Sequence, residues 1–336
     1  MRKPTRRDVG RGERVLPGVW RLRLPLPWPG VPHCNAWALA AGDGIVLVDT
    51  GMHEAGSMAH LERALDQVGL KLEHVRLVVL THAHVDHCGQ APPIAERAGC
   101  EVWLHPDHQH HTRTVADPEQ GLARRLEVAR QSGVPEAEVR RWAQQRRAQG
   151  TGQAGELRSD RDLVPGVAID TDLGRWEVVE TPGHAPSHVC LHQPERRILL
   201  SGDHLLGRVS LYFDHGSTPD PVGEFLASLD RAEALDARLC LAGHGRPFTD
   251  VQAHITANRR LVATRLDAVR ALLAEGPITA WDLAARLYGD LFVDVTATWL
   301  LSKALSWLDH LRAGGEAVRH VDPAGTETWS AAETAI

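Results

Sequence analysis

Short apolar runs separated by turn residues fill the first part of the chain. Apolar and polar residues alternate over residues 15–24, which predicts a strand, and the prolines that follow predict a stiff loop. Two further apolar runs, 35–41 and 44–50, flank a glycine-rich turn and predict a strand pair. Apolar residues recur at helical spacing over 54–68 and predict a helix. Residues 75–80 are apolar except for one arginine, which is typical of a strand buried on both faces.

The pattern changes at residue 106, where a polar segment begins. Residues 106–160 are rich in arginine and contain helical stretches near 118–132 and 135–148, so they predict a helical insertion. Strand signals return after the insertion, together with a predicted helix at 221–235. The predicted strands of this second part are 168–170, 175–180, 188–193, 198–201 and 238–241. Two similar halves of sheet and helix favour a layered α/β sandwich.

The last part of the chain has its own pattern of apolar residues. Helical spacing over 251–274, 279–288 and 296–313 predicts three helices, and a small hairpin is predicted after them. Three helices followed by a two-stranded wing are typical of a winged-helix-like module. The sequence therefore divides into three predicted parts: a flexible terminus at 1–14, a main α/β domain at 15–250 and a winged-helix-like domain at 251–336.

Composition narrows the function classes. The 336 residues carry a formal net charge of −6, which excludes the overall basic footprint of a general nucleic-acid-binding protein. No apolar run approaches the roughly 20 residues that a membrane-spanning helix needs, so no membrane association is expected. The five cysteines are odd in number and scattered, so we expect no disulfide framework and a cytoplasmic location.

The most unusual feature of the composition is its 20 histidines, several of which lie close to carboxylates. His82 and His84 directly follow the strand predicted at 75–80, and in an extended segment their side chains point the same way. Asp86 and His87 come next, where the chain turns, and can face a second metal nearby. Imidazole and carboxylate donors at this spacing suit zinc, iron or manganese. Three more candidate ligands each follow a predicted strand: His184, Asp203 and His244.

The order of these residues resembles the signature of the metallo-β-lactamase superfamily, a His-x-His-x-Asp-His run followed by His, Asp and His. The run Val48-Asp49-Thr50-Gly51 also matches the early aspartate motif of that family. The resemblance covers about residues 15–250 and implies a catalytic domain with the four-layer αββα sandwich fold, with metal ions at one edge. It implies these sites: a first metal at His82, His84 and His184, a second at Asp86, His87 and His244, and Asp203 bridging both.

An aspartate at the bridging position resembles the glyoxalase II and lactonase branches of the superfamily. This likeness implies a dinuclear hydrolase in which a metal-bridging hydroxide attacks the carbonyl of an ester, thioester or lactone. Two divalent ions are implied, with zinc expected and manganese or iron as alternatives. Asp86 would act catalytically by orienting the hydroxide and taking its proton. The chain departs from the family pattern only after these ligands, where it reads Cys88-Gly89-Gln90.

Several residues near the ligands in sequence are interpreted as parts of the same site. Asp49, His188 and His204 are expected to lie behind the ligating side chains and support them. A second histidine tract opens the insertion and leaves two interpretations, a third metal site or a polar loop, of which we favour the loop. The second histidine tract consists of His105, His108, His110 and His111.

Three aromatic residues are interpreted as lining a substrate pocket: Trp28, Tyr212 and Phe213.

Other functions share this pattern of ligands. A metal-dependent ribonuclease or phosphodiesterase is the main alternative, because winged helices often bind nucleic acid. The third helix of the predicted module, however, carries only Lys303 and Arg312 as fixed positive charges, so no nucleic-acid partner is expected. A diiron redox protein and a metal-binding regulator without catalysis are further alternatives. The expected partner is a small-molecule or acyl-carrier substrate, and a homodimer is left open.

Overall fold

Two β-sheets lie face to face at the centre of the protein. The computed structural model describes residues 9–333 apart from Pro29, Val209 and Val295. The first sheet has seven strands in chain order, β1 to β7: Arg11–Leu16, Val19–Trp28, Val31–Ala41, Gly44–Val48, Val75–Val79, Glu101–Leu104 and Arg161–Asp162. The second sheet has five strands, β8 to β12, which are also neighbours in chain order: Ala168–Thr171, Gly174–Glu180, Val189–Gln193, Ile198–Gly202 and Leu239–Ala242.

Alternating side chains of the central strands supply two different cores. Val46 of β4 packs with Trp176 of β9 in the core between the sheets. Its neighbour Ile45 points the other way and packs with the helices that cover the first sheet. Strand β5 behaves in the same manner, with Val79 in the first core and Val78 in the second. Successive residues of a strand face opposite sides, so the strand predicted at 75–80 is buried on both faces as its apolar pattern indicates.

Helices cover the outer faces of both sheets and complete the αββα sandwich. In the described part of the chain the α-helices, α1 to α10, are Ser57–Asp66, Val85–Cys88, Ala91–Ala98, Gln109–Ala116, Pro118–Gln131, Glu136–Ala148, Pro221–Ala234, Val251–Ala274, Ala280–Tyr288 and Ala297–Ala313. Helices α1 and α3 pack on the first sheet, and α7 packs on the second. Within the same residues, no helix combines the length and the apolar character needed to cross a membrane. Two facing sheets with helices on both outer sides confirm the predicted αββα sandwich fold.

The insertion consists of helices α4, α5 and α6, which lie between strands β6 and β7. Helices α5 and α6 match the two predicted helical stretches. Asp117 caps α5, because its carboxylate accepts a hydrogen bond from the backbone N–H of Gln120 at 2.9 Å. Helix α4 corrects the interpretation of the histidine tract as a loop. It packs against α5 where Thr114 meets Gly121, a tertiary contact that the local sequence does not signal.

The last part of the chain contains helices α8 to α10 and a small three-stranded sheet, whose first strand lies between α8 and α9 and whose last two strands form the predicted hairpin. Trp307 of α10 packs against Phe213, with ring centroids 5.1 Å apart, and Phe213 packs in turn against Phe225 of α7 at 5.5 Å. The apolar core of the second sheet thus continues into the last part of the chain. This packing agrees with the helical spacing of apolar residues over 296–313. The strands of the small sheet, β13 to β15, are Ile278–Thr279, Ala317–Val321 and Glu327–Ala331.

Two expectations about the N-terminal segment are wrong. Residues 11–14 are not flexible, because they belong to β1 and pair antiparallel with β2, whereas residues 1–8 lie outside the described part. The prolines after residue 24 also do not end the strand, since β2 continues to Trp28. Strand β1 pairs with β2 only as far as Arg23, so among the described strands one edge of β2 has no partner beyond that point. Proline, which lacks an N–H group, is tolerated at such an edge.

Candidate metal centre

All seven candidate ligands lie at one edge of the sandwich, where strands of both sheets end. His82 and His84 follow β5, and Asp86 and His87 lie on the short helix α2. The loops after β9, β11 and β12 of the second sheet carry the other three: His184, Asp203 and His244. The order of strands in the two sheets therefore brings together residues that are far apart in sequence.

Two glycines allow the chain to pass close to these side chains. The backbone N–H of Gly243 donates to the carbonyl of Gly202 at 2.7 Å and joins the ends of β11 and β12. A Cβ atom at Gly243 would lie only 2.3 Å from Oδ1 of Asp203 and 2.8 Å from the ring of His87. Any larger residue at this position would displace the candidate ligands.

His82, His84 and His184 form a first group, with one ring nitrogen from each within 4.8 Å of the others. Nδ1 of His84 and Nε2 of His184 are 2.9 Å apart. Nδ1 of His184 donates to the backbone carbonyl of Tyr212 at 3.1 Å, so its Nε2 carries the lone pair. Nε2 of His84 faces the carboxylate of Asp214 at 3.8 Å, which leaves Nδ1 to face the group. Three imidazole lone pairs directed at one point suit a metal ion.

Asp86, His87 and His244 form a second group of the same dimensions. Oδ2 of Asp86 lies 3.2 Å from Nε2 of His244 and 3.5 Å from Nε2 of His87. Nδ1 of His244 donates to the carbonyl of His33 at 2.9 Å, and Nδ1 of His87 is 2.8 Å from Oδ2 of Asp49. Because both Nδ1 atoms are held from behind, both rings present Nε2 to the centre of the group.

Asp203 lies between the two groups. Its Oδ2 is 3.2 Å from Nε2 of His244 in the second group and 3.7 Å from Nε2 of His184 in the first. Its Oδ1 is 3.4 Å from Nε2 of His87. A carboxylate that reaches members of both groups has the position that a bridging ligand requires.

Several of these atoms are buried without a hydrogen-bond partner. Among the described residues they include Nε2 of His82, Nε2 of His87 and Oδ1 of Asp203. An unpaired buried polar atom destabilises the folded chain unless something else binds it. Imidazole and carboxylate are the donors that divalent transition metals take in proteins. The residues at this edge therefore fit divalent cations.

The pKa values of the histidines differ between the groups. Burial, reinforced by neighbouring histidines, lowers the pKa of His82 well below its ordinary value and that of His184 to about 3. Burial also acts to lower the pKa of His244, but the carboxylates of Asp203 and Asp86 together outweigh it and raise the pKa to about 10. His82 and His184 are therefore ready to bind a cation as neutral rings, whereas a cation that binds His244 would displace a proton.

Comparison with known proteins agrees with this geometry. The family model described as the metallo-β-lactamase superfamily matches residues 29–244, which include all seven candidate ligands. The chain belongs to the metallo-β-lactamase superfamily. Membership and the His/Asp groups together support a metal-binding hydrolase.

Similar proteins of this superfamily cover most of the chain. A probable metallo-hydrolase of Bacillus subtilis (strain 168), YqjP, is 29% identical over 279 residues, which are 80% of this chain and 85% of that protein. The crystal structure of a metallo-β-lactamase family protein from Thermus thermophilus, TTHA1429, is 30% identical with a TM-score of 0.81, and the match covers 95% of this chain and all of that one (100%). A β-lactamase domain protein from Burkholderia ambifaria is 28% identical with a TM-score of 0.83, covering 98% and 96% of the two chains. The similarity of structure thus extends beyond the sandwich itself.

Two of the three residues predicted to support the ligands contact them. Asp49 bonds to His87 as described, and Nε2 of His188 accepts a hydrogen bond from the backbone N–H of Asp203 at 3.0 Å. His204 has no described hydrogen bond to a ligand, and its ring centroid lies 6.2 Å from that of His188. Its ring packs against Phe225 with centroids 5.0 Å apart.

Two of the three predicted pocket aromatics border a cavity of about 2740 Å³ that opens onto the metal centre. They are Trp28, which packs against Trp299 of α10 with ring centroids 5.8 Å apart, and Tyr212. Phe213 does not line the cavity. It is fully buried against Phe225, because neighbouring residues of this loop turn to opposite sides. Helices of the insertion and α10 form much of the cavity wall.

Sequence reasoning misses Asp214 beside the first group, and it names His110 and His111 without placing them there. Asp214 faces His84, and with His110 these two form a further set of ligand atoms within 4.8 Å of one another. Burial tends to raise the pKa of Asp214, but the adjacent His84 outweighs it and holds the pKa well below its usual range. His111 lies on the same helix, with Nε2 2.8 Å from Oε1 of Gln153. The histidine tract was the available signal, but only the fold brings α4 to this edge.

Proposed function

We propose that this chain is a dinuclear metal-dependent hydrolase that cleaves an ester, thioester or lactone bond. The observation that carries the proposal is the position of Asp203, 3.2 Å from Nε2 of His244 and 3.7 Å from Nε2 of His184. These two histidines belong to different groups, so one carboxylate can serve both. We further propose a small-molecule or acyl-carrier substrate.

Seven residues would hold the two divalent cations. Zinc suits this donor set, and Mn²⁺ or Fe²⁺ are alternatives. Bound here, the cations would bring the pKa of a water close to neutrality and polarise a substrate carbonyl. The first ion would bind His82, His84 and His184, the second Asp86, His87 and His244, and Asp203 would bridge them.

Asp86 is the residue to which we assign a catalytic role. Its carboxylate borders the cavity, and His244 and His87 fix it at 3.2 and 3.5 Å. Burial opposes ionisation, but these histidines outweigh it and lower the pKa of Asp86. An ionised carboxylate in a fixed position can orient the attacking water and then accept its proton.

The walls of the cavity favour a carbonyl substrate over nucleic acid. Trp28, Trp299 and Leu300 give the cavity an apolar surface near the metal edge. We propose that α8 to α10 and the small sheet form a winged-helix-like module that closes the cavity. Helix α10 packs on α7 and carries few cations, unlike a helix that binds phosphate backbones.

A phosphodiesterase or ribonuclease is the second candidate function. It is favoured by four arginines of the insertion that border the same cavity: Arg113, Arg124, Arg125 and Arg146. A phosphodiester would use the same metal ligands, so only substrate preference separates the two candidates.

The direct test is the initial rate of the zinc-loaded protein with an aryl ester, an acyl thioester, a lactone and single-stranded RNA. His82→Ala removes a ligand, and His320→Ala, on the exposed face of β14, is the matched control. We expect carbonyl turnover that is lost in H82A and retained in H320A, without RNA cleavage. RNA cleavage with no carbonyl turnover would favour the second candidate, and no turnover of any substrate would contradict both.

A further inference from the structure

Two cations that border the large cavity, one on each of two C-terminal helices, lie against the same buried aromatic ring. The guanidinium carbon of Arg265, on α8, lies 5.3 Å from the centroid of the Tyr288 ring. Nζ of Lys303, on α10, lies 5.5 Å from the same centroid. The hydroxyl of Tyr288 accepts a hydrogen bond from Nε1 of Trp307 at 3.0 Å, which fixes the ring in place. The two positive charges therefore contact the same ring.

Neither cation has a carboxylate partner among the described residues, where no acidic oxygen lies within 4.0 Å of either group. By contrast, Arg270 of α8 pairs with Glu316, and Arg286 of α9 pairs with Glu275. Asp294 borders the same cavity but already pairs with Arg141 at 2.7 Å. The positive charge at Tyr288 is therefore left uncompensated.

Burial and the unpaired charges change the pKa of Lys303. Burial, reinforced by the charge of Arg265, lowers the pKa of Lys303 to about 8. Burial also raises the pKa of Tyr288 to about 12, so its ring remains neutral and cannot compensate the charges. The cation–π contacts with the Tyr288 ring are weak interactions and do not neutralise either charge. An anion bound between the two side chains would remove the repulsion and the desolvation penalty together.

The cation pair and the metal centre open into one cavity. Arg265 and Lys303 border the same space as His84, Asp86 and Asp203. The cavity wall also carries apolar side chains, among them Leu122, Leu126, Leu261, Leu300 and Trp299. A ligand that spans the metal centre and the cation pair needs three parts. These are a reactive group at the metal centre, an apolar body along the cavity wall and an anionic group at the cations.

Helix α10 connects the two places along the chain. Its Ser302 donates to the backbone carbonyl of Phe213 at 2.9 Å, beside Tyr212, whose ring centroid is 5.7 Å from that of His184. Lys303 is the next residue of the helix, so its backbone is anchored to the loop that borders the first histidine group. The spacing between the anion and the reacting bond is therefore set by rigid elements.

We propose that Arg265 and Lys303 form a subsite for an anionic group, phosphate or carboxylate, of an elongated acyl substrate. This inference rests on the proposed function, because it places the ester or thioester carbonyl of the same molecule at the metal centre. The phosphate could belong to a carrier arm, and the carboxylate to the acyl chain itself.

Binding of three ten-carbon probes by calorimetry tests the subsite without any turnover. Decyl phosphate, decanoate and decanol share the apolar chain and differ only in charge. We expect the zinc-loaded protein to bind one of the anions at least tenfold more tightly than decanol, and the stronger anion identifies the source of charge. Lys303→Met and Arg265→Gln should each reduce that preference by about tenfold. Lys71→Met and Arg286→Gln make the same changes at exposed positions and should retain it.

A kinetic comparison links the subsite to catalysis. The ratio of kcat/KM for decanoyl-coenzyme A to that for the phosphate-free decanoyl-N-acetylcysteamine should fall about tenfold in the K303M and R265Q variants if the anion is a phosphate. Failure to hydrolyse either thioester would count against the proposed function, whereas the calorimetry would still decide the subsite. No preference for an anion in the unmodified protein, or a preference unchanged in both K303M and R265Q, would overturn the inference.

Discussion

The carboxylate of Asp49 lies 2.8 Å from Nδ1 of His87, although 38 positions separate the two residues in sequence. The same carboxylate accepts hydrogen bonds from the backbone N–H of Thr81 at 2.8 Å and from its hydroxyl at 2.9 Å. Asp49 has a φ of 61°, a left-handed conformation that is unfavourable for a residue with a Cβ atom. The backbone is thus held in a strained form that aims one carboxylate at the metal centre.

Replacement of Asp49 by asparagine should weaken zinc binding by about 10- to 100-fold, because the ring of His87 would lose its charged acceptor. Competition with a chromophoric chelator measures this change. Asp43→Asn, at an exposed turn where Asp43 contacts Arg76, is the matched control and should bind zinc normally. Equal zinc affinity in D49N and D43N would show that Asp49 only stabilises the turn.

Asp214→Asn tests the carboxylate behind the first histidine group. Nε2 of His84 lies 3.8 Å from this carboxylate, and loss of its charge should leave the ring less firmly oriented. We expect two quantities to fall about tenfold: the rate of hydrolysis and the amount of zinc retained after dialysis. Asp230→Asn removes an exposed partner of Arg259 and should change neither quantity. Unaltered activity in D214N would show that Asp214 does not help to orient His84.

Lys303→Met should stabilise the protein at neutral pH. Since the pKa of Lys303 is lowered from 10.5 to about 8 in the folded chain, the unfolded chain binds this proton more tightly. The charged ammonium therefore destabilises the folded state fully below pH 8, and this penalty disappears as the pH rises to 10.5. The variant should gain about 1–3 kcal/mol at pH 7 and nothing at pH 10.5, measured by urea unfolding without phosphate. A gain that does not depend on pH would contradict this explanation.

Trp307→Ala should reduce the free energy of unfolding by about 3–5 kcal/mol, because it empties a fully buried site between α10 and Phe213. It should also lower activity, since Phe213 adjoins Tyr212 at the cavity. Leu291→Ala, at a side chain that is 65% exposed, should change stability little. Chemical unfolding checks both variants. A small loss in W307A would mean that the last helices are not part of the common core.

The ligands of the metal centre could be predicted because their signal is local. His82 and His84 follow an apolar strand with a spacing of two, and each later ligand sits where a strand pattern ends. Metal ligands need rigid positions, and the ends of buried strands supply them. The contact between Asp49 and the ligands followed from family resemblance, since its own sequence context is that of a turn.

Other features of the site could not be predicted because they depend on tertiary packing. Asp214 and His110 come together only when the insertion folds over the edge of the sheet. Phe213 and Tyr212 are neighbours of similar character, yet one enters the core and the other borders the cavity. The cation pair of Arg265 and Lys303 likewise joins helices that are separate in sequence, so no local pattern marks it.

The metal content of the purified protein decides whether the chain holds a dinuclear centre. After equilibration with excess zinc and desalting, mass spectrometry of the metal should find about two zinc ions per chain. His184→Ala and His244→Ala, which each remove a ligand of a different group, should each retain about one. One ion or none in the unmodified protein, or two in either variant, would contradict a dinuclear centre built from these residues.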